Sequence, residues 1–391
     1  MKTTVSAIDF GTSKIVALVA ETSGRQRCDI IGAGTVIYDG YMEGRWNAPD
    51  QLNDAIAGAI RAAEEQAHAR IREVSVGVPG DFSQVRTVEV KVELQGADPR
   101  VTQRDIEDLF DKAAQELGEV RGTVIQRSPA WFIVDDGKKT FEPMGMRGYE
   151  LRGMVSFVIA DQFFLEDVTE RFRALGINVT GFMSTPQGQA MLFVPDEERD
   201  HTAVLVDVGY LTTEVMVVEG DAITSLKNLP LGGGHIAADL AYGLKISLPV
   251  AEQIKRAYVY GLSAGQSTFE GTDPSGSVKT FTREQVEAVL EPRAEEICEA
   301  IRDAIKESGV KLGKWSPVYL TGGGLAINRG GRDFLSRMLD RTVRELPRKA
   351  VKLSSPAYSS SLGLLDLLIN NVTEARATTG VSGFFRSLFG G

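Results

Sequence analysis

The chain has 391 residues, 43% hydrophobic and 25% charged, which is enough apolar material for a large core and length enough for two or more domains. Its formal charge of -10 argues against a nucleic-acid partner. The same acidity repels anionic lipid, so any membrane contact needs a local device.

Two cysteines, Cys28 and Cys298, lie far apart without metal-ligand spacing and read as buried thiols of a reducing compartment. His68, His201 and His235 are scattered, and neither a metal cluster nor a Ser-His-Asp arrangement can be built from them. Asp9 arrives too early for a secretory leader, and no run approaches the ~20 apolar residues that cross a bilayer. A cytoplasmic protein is expected.

Residues 4–20 read as strand, tight turn, strand, and residues 30–38 as a third strand. From Pro49 onward, Leu52, Ile56, Ile60 and Ala63 recur at helical spacing. VSVGVPG is a short buried strand. Between 82 and 162 the character changes. SQVRTVEVKVEL alternates, Thr102 to Leu117 is an amphipathic helix, and alternating stretches follow around VIQRSPAWFIVDDGK and LRGMVSFVIAD. This reads as a small α+β module inserted in the first domain.

The α/β pattern restarts with a helix over 163–174, the strand INVTGFMS and a helix near 185–193. TAVLVDVGYLTTEVMVVEGDAITSLKNLPL then repeats the opening scheme of strand, Asp-x-Gly turn, strand, strand, which implies a duplicated domain. GLSAGQSTFEGTDPSGSVKT, rich in Gly, Ser and Thr, reads as a mobile loop. Thr282 and Gln285 form a capping box for a long helix with Val286, Leu290, Ile297, Ile301 and Ile305 on its apolar face, and Gly309 is its stop. SPVYLTGGGLAIN is a strand entering a glycine turn and a helix. Residues 358–371 read as a buried helix, and TEARATTG as a polar linker.

Two turns carry chemistry. In Asp9-Phe10-Gly11-Thr12-Ser13-Lys14, and again in Asp207-Val208-Gly209-Tyr210-Leu211-Thr212-Thr213, a hydrophobic strand delivers an Asp into a tight turn. Glycine lets backbone N–H groups approach a phosphate without Cβ interference, and the hydroxyls add donors. Lys14 supplies positive charge for phosphate oxygens. Asp9 and Asp207 would repel a polyphosphate unless Mg²⁺ sits between, held through water. Gly322, Gly323 and Gly324 are a third signal, either a plain strand-to-helix turn or a place where a nucleotide lies against backbone. No G-x-x-x-x-G-K-[ST] occurs, and TGGGLAIN lacks the G-x-G-x-x-G spacing, so neither a P-loop nor a Rossmann site is present.

Together these residues resemble the actin-like ATPase superfamily, and nearly the whole chain resembles its FtsA family. The resemblance rests on AIDFGTSKIVALVAE, FEPMGMRGYEL, LPLGGGHIAADLAYGLKISLPVAEQIKRAYVYG, EPRAEEI and SPAYSSSLGLL. It implies an α/β, actin-like (ribonuclease H-like) duplicated two-domain fold with an inserted α+β subdomain 1C. Subdomain 1A would comprise 1–81 plus 357–371, subdomain 1C 82–162, subdomain 2A 163–232 plus 310–356, and subdomain 2B 233–309. A linker over 372–380 and a membrane-targeting helix over 381–391 would follow.

The implied cofactors are ATP and Mg²⁺. Gly232, Gly233 and Gly234 would allow close passage near the ribose. Glu252, Lys255 and Arg256, at i, i+3 and i+4, would embrace ribose and adenine, or else form a solvated charged face. Gln189 matches the glutamine that positions the attacking water in actins, or is simply a helix residue. Arg293 falls where the family resembles a site for the acidic C-terminal peptide of FtsZ, to which a guanidinium is suited by bidentate bonding. Some positions depart from the family. Tyr210 and Leu211 are bulky where many members have glycine, Gln126 replaces a common His, and the linker is short. At most a weak ATPase is expected, acting chiefly as a nucleotide-dependent adaptor.

The chain ends GVSGFFRSLFGG. Val381, Phe384, Phe385, Leu388 and Phe389 fall at i, i+3, i+4, i+7 and i+8, on one helical face, with Arg386 and Ser387 off it. Such a helix lies in lipid headgroups, or docks on the protein's own core or a neighbour. A single short tail binds weakly, so strong binding requires many tails on one filament. The reading is a protein that polymerises on the cytoplasmic face of the membrane at the division site and anchors FtsZ there. A sugar kinase of the same superfamily, which needs a general base that no carboxylate here offers, and a PilM-type pilus adaptor are the alternatives.

Overall fold

The computed structural model describes residues 3–22, 28–261, 267–272, 275–313, 315–347 and 353–376. The chain opens with an antiparallel meander of β1 (Thr3–Phe10), β2 (Lys14–Thr22) and β3 (Cys28–Ile37). A small flap, β4 (Tyr41–Met42) and β5 (Arg45–Trp46), leads to α1 (Pro49–Ala67) and β6 (Glu73–Val78), which runs parallel to β1. Helix α1 starts on a proline, which costs it no hydrogen bond there, and buries Leu52, Ile56, Ala59, Ile60 and Ala63. Its axis lies very close to β3. A Cβ at Gly34 would stand 1.9 Å from the Ala59 carbonyl oxygen, so no larger residue fits.

The insert follows a short 3₁₀ turn at Gly80–Phe82. It comprises β7 (Ser83–Glu93), α2 (Gln103–Leu117), β8 (Thr123–Val134) and β9 (Glu150–Ala160), paired in the order β7-β9-β8. Thr102 and Asp105 cap α2 reciprocally, and Ile106, Leu109, Phe110 and Ala113 pack it on Leu151, Val155 and Phe157. Helix α3 (Gln162–Ala174) and β10 (Asn178–Ser184) come next. These two correct the expected domain boundary. Strand β10 pairs in parallel with β6, and Phe164, Val168 and Phe172 of α3 join the first core, so residues 163–184 close the first domain. A restart of α/β pattern looks the same whether it completes one sheet or begins another.

Helix α4 (Thr185–Phe193) and the short α5 (Asp196–Arg199) lead to a second meander, β11 (Ala203–Val208), β12 (Thr213–Glu219) and β13 (Ala222–Leu229). Helices α6 (Gly233–Leu244) and α7 (Leu248–Ala257), the hairpin β14 (Thr268–Thr272) and β15 (Val278–Thr282), and α8 (Arg283–Glu307) form a lobe above it. Strand β16 (Val318–Thr321) enters a wide helical turn at Gly322–Ala326, followed by α9 (Gly331–Leu339), β17 (Val343–Glu345) and α10 (Ser359–Arg376). The two five-stranded sheets, β3-β2-β1-β6-β10 and β13-β12-β11-β16-β17, have the same strand order and the same pattern of antiparallel and parallel pairs. The self-similarity in the sequence is thus a duplicated topology.

Three further expectations are corrected. Part of the predicted mobile loop is the β14–β15 hairpin. Phe269 is buried and stacks on Tyr258, 5.9 Å between centroids, which outweighs the weak strand composition around it. Helix α10 runs to Arg376, into the segment read as linker; its inner face, Leu364, Leu365, Leu368 and Ile369, lies against β1 and β2. Cys298 is buried, whereas Cys28, at the start of edge strand β3, is exposed. Helix α8 contains Pro292 and still continues, because Val286, Leu290, Ala294, Ile297 and Ile301 anchor it on both sides of the lost hydrogen bond.

Candidate functional site

The two β-hairpins that carry the Asp-x-Gly turns face each other across a cleft of about 800 Å³ between the domains. Each closes in the same way. The Gly11 N–H donates to the Lys14 carbonyl at 2.9 Å, and the Gly209 N–H to the Thr212 carbonyl at 2.9 Å. The turns also touch: Thr12 Oγ1 accepts from the backbone N–H groups of Tyr210 (3.2 Å) and Leu211 (3.1 Å). These amides are donors of the kind a phosphate oxygen takes, and here a hydroxyl of the opposite domain occupies them. Behind the first turn stands an aromatic cluster of Phe10, Tyr41, Trp46, Phe82 and Phe164. Tyr41 Oη donates to the Phe10 carbonyl at 3.1 Å and fixes the turn from beneath.

Of the residues expected to hold a nucleotide, Asp9, Gly11, Thr12, Ser13, Lys14, Asp207, Gly209, Thr212, Glu252, Arg256, Gly322 and Gly323 line the cleft. Lys14 Nζ donates to the Ala357 carbonyl at 2.7 Å and lies 4.3 Å from the Tyr358 ring. Burial lowers its pKa, and the charges of Asp9 and Asp207 oppose that shift. Burial raises Asp9, against hydrogen bonds from Ser361 and Ser360 and the charge of Lys14. Asp207 is pushed up to about 6 by burial, with Gln189 opposing. Both carboxylates therefore gain from a cation in the cleft.

The glycine turn is built for contact. Gly322 has φ of 92°, and a Cβ there would stand 2.2 Å from Asp207 Oδ1 and 2.3 Å from the Val208 carbonyl oxygen.

Other predicted residues stand one layer back. Gly324 and Gly232–Gly234 pack on the second turn: the Gly233 N–H donates to the Gly209 carbonyl at 2.9 Å, and a Cβ at Gly233 would lie 2.4 Å from Gly324 Cα. Thr213 is buried and donates to the Leu231 carbonyl at 2.7 Å. Lys255, only 1% exposed, reaches inward to the Gly233 carbonyl (2.9 Å) and Glu252 (2.7 Å), so it supports the wall rather than facing a nucleotide. Lys255 keeps the Glu252 partner that helical spacing gives it, while its ammonium also bonds to the α6 backbone instead of standing beside Arg256 at the lip.

Gln189, 1% exposed, lies behind Asp207 and donates to its Oδ2 at 2.6 Å; it does not line the cleft. Arg293 is held on α8 by Asp239 (2.6 Å) and Glu296 (2.5 Å). Its fork already meets a carboxylate of α6. Val381, Phe384, Phe385, Leu388 and Phe389 lie outside the described residues.

Sequence reasoning missed Glu214 and the three serines at the start of α10. Glu214 lines the cleft and accepts from the Gly80 N–H at 2.8 Å, joining the second domain to the stem of the insert. Burial first, then the charge of Asp207, pushes it up to about 8. Hairpin arithmetic could have found it. A turn closed by Gly209 and Thr212 sets Asp207 opposite Glu214, and that is the observed register.

The residues fit a magnesium nucleotide. Two aspartates, Asp9 buried and Asp207 half-buried, line the cleft with glycines and a lysine. Among the described residues no group of three His, Cys, Asp or Glu side chains could hold a metal by itself. That donor set suits Mg²⁺, which keeps waters and takes its other oxygens from phosphates.

Two family descriptions match the chain: cell division protein FtsA over residues 204–363, and the SHS2 domain inserted in FtsA over 82–159. The second range falls on the β7–β9 insert, and the two together span more than half of the sequence. The chain belongs to the FtsA family. Similar relatives include the cell division protein FtsA of Bacillus subtilis, 24% identical with 93% of this chain and 83% of the relative covered. The Neisseria meningitidis FtsA is 25% identical, with 92% and 89% covered. Among solved structures, a PilM-PilN type IV pilus biogenesis complex superposes with a TM-score of 0.61 at 18% identity, covering 94% of this chain and 98% of the other. MreB5 of Spiroplasma citri bound to ADP gives 0.51 at 12% identity, covering 96% and 98%. At these identities the structural likeness speaks for the fold alone, an actin-like two-domain fold with an inserted subdomain.

Proposed function

We propose that this FtsA-family chain binds ATP with Mg²⁺ between its domains, polymerises on the cytoplasmic face of the membrane at the division site, and anchors FtsZ there through its C-terminal segment. The observation that carries the nucleotide part is the pair of facing hairpins, with Asp9, Asp207 and Lys14 converging on one cleft. The relatives' function in cell division supports the process.

In this reading Gly11, Thr12 and Ser13 offer donors to phosphates from the first domain, and Gly209 and Thr212 from the second. Thr12 gives up the Tyr210 and Leu211 amides to a phosphate oxygen. Lys14 neutralises charge. Bound Mg²⁺ supplies the counter-charge that lets a polyphosphate lie between two aspartates. Glu252 and Arg256 form the outer lip, and Gly322 and Gly323 let the ligand approach backbone. Because Gln189 reaches the cleft only through Asp207, hydrolysis is a slow accompaniment, and nucleotide binding sets domain closure and assembly.

The membrane part rests on the apolar face of residues 381–389. Among the described residues no helix is long and apolar enough to cross a membrane, so an in-plane tail is the device available. Burying each Phe or Leu yields roughly 1.5–3 kcal/mol, and ordering each residue consumes ~1–2 kcal/mol, so one tail binds reversibly. The FtsZ contact assigned to Arg293 requires an acidic peptide to replace Asp239 or Glu296 as its partner.

Co-sedimentation of the full-length chain with anionic phospholipid vesicles tests this reading, with and without ATP–Mg²⁺, against Phe385→Glu. Wild type is expected to pellet, more so with nucleotide, while the variant stays in the supernatant. If both stay soluble under every condition, the membrane role fails.

A further inference from the structure

Helix α10 begins with three consecutive serines, and the hydroxyl of each is committed inside the site. Ser360 and Ser361 both donate to one oxygen of Asp9, Oδ2, at 2.7 and 2.6 Å. Ser359 Oγ accepts from Gln189 Nε2 at 2.8 Å, and the same nitrogen donates to Asp207 Oδ2 at 2.6 Å. Ser359 is itself held by Thr321 Oγ1 at 2.8 Å and donates to the Pro356 carbonyl at 2.8 Å. Ser359, Ser361, Gln189, Thr321 and Asp9 are all buried.

We propose that Ser359, Ser360 and Ser361 are the positioning residues for both metal-facing aspartates, Ser360 and Ser361 acting on Asp9 directly and Ser359 on Asp207 through Gln189. This inference rests on the ATP–Mg²⁺ reading of the cleft.

Two donors on a single carboxylate oxygen define the rotation of the Asp9 side chain and leave its other oxygen for the cleft that Asp9 lines. The first turn of α10 adds the positive end of an 18-residue helix beside that carboxylate. On the other side, the Gln189 amide is oriented by its Nε2 bonds alone, since its Oε1 is buried with no partner. Removing Ser359 leaves that amide with one anchor, and the carboxylate it steers is then free to turn. A single helix start therefore sets two carboxylates that belong to different domains, and it sets them relative to each other. Groups one layer behind a metal ligand commonly change metal affinity by roughly 10–100-fold when removed.

The test uses full-length protein and a fluorescent ATP analogue, titrated in EDTA and at rising Mg²⁺. Wild type is expected to bind more tightly with Mg²⁺. Relative to each variant's own binding in EDTA, S360A/S361A and S359A should require at least roughly 10-fold more Mg²⁺ than wild type to reach half of the gain. S360T/S361A, which restores one hydroxyl to Asp9, should recover part of that loss; a role in packing alone would not be rescued by one hydroxyl. Should the double variant fold poorly by its melting temperature, S360A alone, at the half-buried position, replaces it with a smaller shift in the same direction. Equal Mg²⁺ requirements in wild type and folded variants overturn the proposal. A wild type that binds the analogue equally well in EDTA and in Mg²⁺ overturns the magnesium-nucleotide reading itself, and this inference with it.

Discussion

Gly322 shows how one residue carries both backbone strain and close approach. Its φ of 92° is left-handed, and a Cβ would press on Asp207 Oδ1 at 2.2 Å. Gly309 has φ of 70° with nothing within 4 Å, so it isolates the strain from the crowding. Gly309→Ala should cost about 1–2 kcal/mol in urea unfolding. Gly322→Ala should cost more than that and also displace Asp207, weakening binding of the ATP analogue; equal losses at both positions would show that the crowding is relieved by small shifts. Glu214 gives a prediction of opposite sign to most carboxylates. Its ordinary value is 4.5, and burial pushes it to about 8 in the fold. Between these values the folded state holds a proton that the unfolded chain has released, so this group makes stability fall as pH rises. Below 4.5 it contributes nothing, and above about 8 its full penalty applies. Glu214→Gln keeps an acceptor for the Gly80 N–H, so melting temperature between pH 5 and 8 should fall less steeply in the variant than in wild type. Residues placed by their own hairpin, Asp9, Lys14 and Asp207, were legible in the sequence because a turn fixes where its neighbours point. Lys255 and Gln189 were not, because their direction depends on which helix packs behind them.

At the scale of elements, long periodic segments were legible and junctions were not. Helices α1, α2 and α8 announce themselves by a stripe of apolar residues, with a proline at the start of α1 and a capping box on α2 and α8. The hairpin β14–β15 has too few apolar residues for a pattern, and its strand character comes from Phe269 and from Gly271, where a Cβ would stand 2.3 Å from Val250. The sequence also conceals that α4 and α10 cross backbone to backbone. A Cβ at Gly188 would lie 2.5 Å from the Gly363 carbonyl oxygen, and one at Gly363 would lie 2.4 Å from the Gln189 nitrogen. This crossing explains the placement of the aspartate supports. Gln189 on α4 and Ser359 on α10 meet because glycines let the two helices touch. The same helix that starts under Asp9 ends at Arg376, so one element runs from the cleft to the C-terminal end of the described residues.

At the scale of the molecule, the insert joins the two domains as well as extending the first. Gly80 in its stem is gripped by Glu214 through its N–H and by Asn228 Nδ2 through its carbonyl at 2.7 Å. Its body meets the β12–β13 turn, where Ser156 Oγ donates to the Ile223 carbonyl at 2.5 Å and the Asp221 N–H to the Pro129 carbonyl at 3.2 Å. The insert thus braces the first domain against the second. The proposed membrane binding belongs to this scale too, because avidity grows with the number of linked copies. A tail of this length gives weak binding alone, and linked copies gain roughly 10²–10⁴-fold without a new contact. Residues 377–391 fused to a monomeric carrier should therefore leave most protein in the supernatant at vesicle concentrations that pellet the full-length chain. The same segment on a tetrameric carrier should pellet, and full-length binding should rise more steeply than linearly with protein concentration. Tight binding of the monomeric fusion would mean that the tail suffices alone, and the link between membrane binding and polymerisation would then fall.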